Sequence, residues 1–195
     1  MRPVIYSLQF RGQARRVRTD LLRLRLRAPS SALVTTVGAM GVGGRFVDAP
    51  GGEAFFRSEL AFGDGSSFHD TGTVEFGHGN RLRFHSIGRG HLAPCPDPHL
   101  RQGSVVRRIE GGEGQFVGSE GLITSNFLFS DSGEVTDNHL GLIFVHDPPL
   151  GSTAATVDGT SDQERGNDMT IRVSAKRHPL PAAHPGQTRR GSRGH

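Results

Sequence analysis

EAFFRSELAFGDGSSFHDTGTVEFGHGNRLRFHSIG, residues 53–88, decides the fold class. In its first run, Ala54, Phe56, Ser58, Leu60 and Phe62 share one parity. A period of two puts alternate side chains on opposite faces of an extended strand. Residues 66–76 repeat the pattern with Phe68, Asp70, Val74 and Phe76, and residues 81–88 with Leu82, Phe84 and Ser86. GDG (63–65) and GHGN (77–80) separate the runs, and such residues reach the positive φ that tight hairpins need. The stretch reads as a three-stranded antiparallel meander.

Working outward, the same rhythm continues in both directions. PVIYSLQF (3–10) aligns Val4, Tyr6, Leu8 and Phe10, and LLRLRLRA (21–28) sets Leu22, Leu24 and Leu26 against Arg23, Arg25 and Arg27. ALVTTVGAM (32–40) is a further strand candidate. Towards the C-terminus come GSVVRRIE (103–110), QFVGSEGLITSNFLFS (115–130) and EVTDNHLGLIFV (134–145), the last two joined by DSG (131–133). No segment carries apolar residues at helical spacing for more than about two turns. Many short antiparallel strands without helices form a sandwich or a closed barrel. Closure removes the edges that long Phe-rich strands would otherwise expose. The expectation is an all-β chain, a single antiparallel β-barrel of eight strands or slightly more.

The chain has 195 residues, enough for one sizeable core. All 12 phenylalanines and the single tyrosine precede residue 145, and no tryptophan occurs. From Asp147-Pro148-Pro149 onward the sequence is rich in Pro, Gly, Ser and Thr, which cannot bury enough apolar surface to offset ordering entropy. Domain boundaries are therefore expected at 1–146 for the barrel and 147–195 for a mostly disordered tail, with a short strand at 169–175 as its one candidate element. No apolar run reaches the roughly 18 residues of a membrane span, and the opening residues do not resemble a secretory signal. Cys95 alone can form neither an internal disulfide nor a thiolate cage. A cytoplasmic location with no membrane partner is the expectation.

A net charge of +4 and a pI near 10.4 raise the question of nucleic acid. Only Lys176 is a lysine, so the basicity is arginine, concentrated between Arg11 and Arg27. There the alternation with leucine reads as a half-buried strand with a solvated arginine face, without stacking aromatics or a reading helix. The sequence argues against a nucleic-acid partner.

GGEGQFVGSEGLITSNFLFSDSGEVTDNHLGLIFV (111–145) carries a resemblance. Its spacing G-G-x-G-x-F-x-G-x-x-G, leading into a long strand and a final hairpin, resembles the closing element of the allene oxide cyclase and dirigent barrel superfamily. That likeness implies an eight-stranded antiparallel barrel, dimeric or trimeric, around an apolar cavity. Its members cyclise an epoxide or steer radical coupling, and related bacterial barrels act on polyketide intermediates. The plant cyclase's own active-site motifs do not occur here. The glycines do not form a dinucleotide fingerprint either, since no helix start follows Gly114 or Gly44; they suit bulges and bends instead.

Chemical signals are sparse. His69, His78, His85, His91 and His99 lack metal-ligand spacing, so no metal site is expected. Cys95, in the proline-rich loop 90–100, lacks a helix N-terminus to activate it. No G-x-S-x-G elbow occurs. If apolar parity marks the inward face, a few polar groups point in as well: Tyr6, Asp70, Ser86, Ser125 beside Ile123 and Phe127, and Asn138 beside Leu140, Leu142 and Phe144. A mostly apolar cavity with a few placed polar groups is the usual form of a small-molecule site. Asp70 and Tyr6 are the catalytic candidates, as acid/base and polarising groups. Ser86, Ser125, Asn138, Phe84 and Phe127 are the substrate-binding candidates.

The leading expectation is a barrel holding a small apolar molecule in its interior, with cofactor-independent cyclase or isomerase activity in secondary metabolism as the chemistry such a cavity would serve. No cofactor is called for. The alternative is a non-catalytic ligand-binding or structural barrel that assembles as a homodimer or homotrimer.

Overall fold

The computed structural model describes residues 1–63 and 65–146. These form β1 (Arg2–Arg18), β2 (Leu21–Gly38), β3 (Gly41–Phe62), β4 (Ser67–Phe76), β5 (Arg81–Ser86), β6 (Gly90–Pro94), β7 (Leu100–Glu113), a 3-10 turn (Gly114–Phe116), β8 (Glu120–Ser130) and β9 (Glu134–Val145). Every pairing is antiparallel. The strands run side by side around a ring, and β1 closes it against β9 from Arg2↔Val145 to Gln13↔Glu134. β5 and β6 share one place between β4 and β7, so nine segments fill eight positions. The expected antiparallel barrel is the fold observed. The predicted tail at 147–195, including the candidate strand at 169–175, lies outside the described residues.

The irregularities have local causes. Gly88, at φ 71°, breaks the shared strand between β5 and β6, while the Ile87 N–H still donates to Val106 O at 2.8 Å. On β7 the register against β5 shifts between the partners of Leu82 and Phe84, where Gly111 adopts φ 80°. That is the glycine bulge anticipated for this Gly-rich segment. The following 3-10 turn buries Phe116 against Phe76, ring centroids 5.5 Å apart.

Inside the ring, four aromatic residues face a glycine directly across the strand pairing: Tyr6↔Gly141, Phe68↔Gly90, Phe84↔Gly72 and Phe127↔Gly103. In each pair the ring occupies the space a Cβ would take. Large side chains thus lie flat on the opposite backbone and fill a small barrel. Phe10, Phe56, Leu82, Val74, Ile123 and Ile143 complete the core.

Two expectations need correction. In β9 the inward residues are Val135, Asp137, His139, Ile143 and Val145, whereas Asn138, Leu140, Leu142 and Phe144 face outward. Both parities of this strand are apolar, and the β-branched set won the interior. The strand expected at 32–40 is not separate: residues 32–38 are the far half of β2, and Ala39 and Met40 turn the chain into β3. Ser31–Gly38 pairs with Gly41–Asp48 and with no other strand, forming a hairpin arm beyond the ring. Its Val37 is 85% and its Met40 101% exposed.

Candidate functional site

The inward polar residues gather on Arg107, from β7. Its parity with Val105 and Ile109 turns it into the core, where it is 1% exposed. Its Nε donates to Asp70 Oδ2 at 2.6 Å, and Nη2 lies 3.7 Å from Asp137 Oδ2. The guanidinium carbon sits 4.9 Å from the ring centroid of Phe56 and 5.1 Å from that of Phe84. Cation–π contact of this desolvated kind is worth up to about 2 kcal/mol.

Asp137 and His139 come from β9 and Ser125 from the neighbouring β8. His139 Nε2 lies 2.9 Å from Asp137 Oδ2 and 3.2 Å from Arg107 Nη1. That nitrogen can donate to the carboxylate or accept from the guanidinium. His139 Nδ1 is buried without a hydrogen-bond partner among the described residues, as is Asp70 Oδ1. The Ser125 hydroxyl donates to Asp137 Oδ1. Burial alone would raise the Asp137 carboxyl. The facing charge and hydrogen bond of His139, then Arg107 and Ser125, outweigh it and hold the group below the usual carboxylate range.

The predicted site residues divide clearly. Asp70 is in the cluster as the ion-pair partner of Arg107. Phe84 covers the guanidinium, and Ser125 holds Asp137. Ser86 accepts from the Asp70 N–H at 3.0 Å and donates to Gly88 O at 3.2 Å, which secures the strand carrying Asp70. Phe127 lies over Gly103 and contacts Phe68, ring centroids 6.0 Å apart. Tyr6 points inward without a hydrogen bond to the cluster. Its hydroxyl is buried with no partner among the described residues, its ring meets Phe76 edge-on at 5.0 Å, and burial pushes its ionisation well up, with smaller opposing influences from Arg107 and Asp137. Asn138 is on the outer wall, accepting from Gln9 Nε2 at 2.9 Å. Arg107, Asp137 and His139 were not among the predicted residues. For Arg107 the signal was available, since Val105 and Ile109 bracket it on the inward parity.

Ser125 hydrogen-bonds the aspartate, not the imidazole, so His139 is not placed to take its proton as a nucleophile's base would be. Asp70, Arg107, Ser125, Asp137 and His139 are each at most 2% exposed. What the arrangement does physically is tie β4, β7, β8 and β9 together across the interior. The sizeable depressions lie elsewhere. One of about 730 Å³ runs over the outer wall by Arg108, Glu110, Leu122 and Phe144, and one of about 240 Å³ lies between Leu8, Ala28, Ala54 and Phe76. Comparison with protein-family models, with curated proteins and with solved structures returns no match.

Proposed function

We propose that this chain is a structural or binding barrel that works as a homo-oligomer, its interior serving as a packed core and its outer wall as the working surface. The observation that carries this reading is the outward set on β1, β9 and β8. Ile5 pairs across from Leu142, and Leu142 from Leu122. Leu140 and Phe144 flank Leu142 on the same face, with Ile5 72% and Leu140 55% exposed. With Val106 these are six large apolar side chains, each at least 40% exposed, on neighbouring strands of one outer face, and clustered apolar exposure of this kind marks interaction surfaces. A second copy is the occupant that fits, because closed homo-oligomers join self-complementary patches, and Arg108, Glu110 and Glu120 border the apolar set on one side as a polar rim. The likeness to the allene oxide cyclase and dirigent barrels enters as one of scaffold: the closed ring supports it, and no chemistry is carried over.

Sedimentation of the full chain at micromolar concentration tests the proposal. The wild type is expected as a dimer or trimer, and Ile5→Glu/Leu140→Glu as a monomer with an unchanged thermal midpoint. A monomeric wild type, or a variant that stays assembled, overturns it.

A second reading keeps the small apolar ligand, with cyclase or isomerase chemistry, and is favoured by one observation: the depression by Leu8, Ala28, Ala54 and Phe76 adjoins the ring that packs on Tyr6. An environment-sensitive apolar dye should then bind the full chain and be displaced by filling that space with Ala28→Phe. Unchanged dye binding in the variant removes this reading.

A further inference from the structure

We infer that the groove at the end of β1 and β2, lined by Arg15, Arg16, Arg23 and Arg25, is an oxyanion site for a compact oligophosphate. The inference is independent of self-association, since it concerns the part of β1 that pairs with β2 rather than with β9.

The strand register opposes Arg11 to Arg27, Arg15 to Arg23 and Arg25 to Arg57. Like charges directly opposite each other in a sheet are destabilising, so the Arg15↔Arg23 and Arg25↔Arg57 facings cost stability unless an anion sits between them. Several arginines nearby have an acidic neighbour: Glu59 Oε1 lies 2.7 Å from Arg23 Nη2, Glu53 3.8 Å from Arg27, and Glu75 3.5 Å from Arg57. Arg15 and Arg25 have no side-chain acceptor among the described residues, and Arg16 meets only the Thr19 carbonyl at 2.9 Å. These three, with Arg23, line a groove of about 410 Å³ completed by Gln13 and Val17. Four arginines thus line one groove, and of these only Arg23 is paired with a carboxylate among the described residues.

Guanidinium forks match the oxygens of phosphate in paired, charge-assisted hydrogen bonds. The groove wall contains no aromatic ring, and single-stranded nucleic acid relies on such rings to stack its bases. The geometry therefore favours clustered phosphates on a small ligand over a polynucleotide.

Titration calorimetry of the full chain with inorganic tripolyphosphate, at low salt, tests the site. Saturable one-to-one binding is expected, weakening steeply with added salt. Arg15→Gln/Arg25→Gln should weaken it at least about tenfold, and Arg101→Gln, an exposed arginine on β7, should leave it unchanged. Thermal melts check that each variant is folded. The inference fails if no saturable binding appears, or if Arg101→Gln weakens it equally. It also fails if a single-stranded oligonucleotide binds more tightly than tripolyphosphate.

Discussion

Arg107 and Asp70 form an ion pair, 2.6 Å between Nε and Oδ2, in which neither side chain is more than 1% exposed. Breaking such a pair leaves a charge buried and uncompensated, which typically costs about 3–5 kcal/mol, whereas replacing both partners with apolar groups is far milder. Arg107→Met should therefore lower stability in urea unfolding by about that amount. Arg107→Met/Asp70→Leu should recover a large part of the loss. Additive losses in the double variant would show that the two side chains act separately.

The lowered Asp137 carboxyl makes a directional prediction for acid. A group depressed in the folded state contributes stability above its unfolded value, near pH 4, and loses it as pH falls through the folded value. The thermal midpoint of the wild type should fall as pH drops below about 4. Asp137→Asn should show a shallower fall over the same window, whatever its midpoint at neutral pH. Parallel curves would remove the assignment.

Tyr6 makes the opposite prediction for alkali. Its folded state favours the neutral phenol, so its contribution is intact below about pH 10 and is lost as pH rises further. As the only tyrosine in a chain without tryptophan, its tyrosinate absorbance can be followed directly. That absorbance should appear together with unfolding rather than before it. Tyr6→Phe removes a buried hydroxyl without a partner, and should raise stability at neutral pH by about 1 kcal/mol and extend the alkaline limit. Ionisation in the intact protein near the free value would contradict this.

The aromatic–glycine pairs predict position-specific intolerance. A methyl group at Gly141 would overlap the Tyr6 ring, and one at Gly103 the Phe127 ring. Either alanine substitution should cost about 1–3 kcal/mol as overpacking. Gly44→Ala, on the arm with open space around it, should be within about 0.5 kcal/mol of wild type. Equal effects at all three sites would mean that ring placement is not what these glycines provide.

The ring was legible in the sequence because β1 to β5 each carry one clearly apolar parity, as in Ala54, Phe56, Ser58, Leu60 and Phe62 on β3. β9 was not, since Leu140, Leu142 and Phe144 on one parity compete with Val135, Ile143 and Val145 on the other. A slip of one residue reverses every side chain, and with it Asn138 exchanged places with Asp137 and His139. At Arg107 the parity with Val105 and Ile109 pointed inward while its charge pointed outward. An arginine in a basic chain reads as solvated, and only its polar partners on two other strands, Asp70 on β4 and Asp137 and His139 on β9, far away in sequence, make its burial affordable. The arm was hidden because pairing along a two-stranded hairpin looks the same whether or not a barrel stands behind it.

The closure of the ring between β1 and β9 also bears on folding. Most other neighbours in the ring are consecutive strands joined by short turns, and β5 and β7 are separated only by β6, so their pairing costs less loop entropy. The seam from Arg2↔Val145 to Gln13↔Glu134 instead joins the two extremities of the domain. Its pairing therefore closes the longest loop in the ring and carries the largest closure entropy of any strand contact.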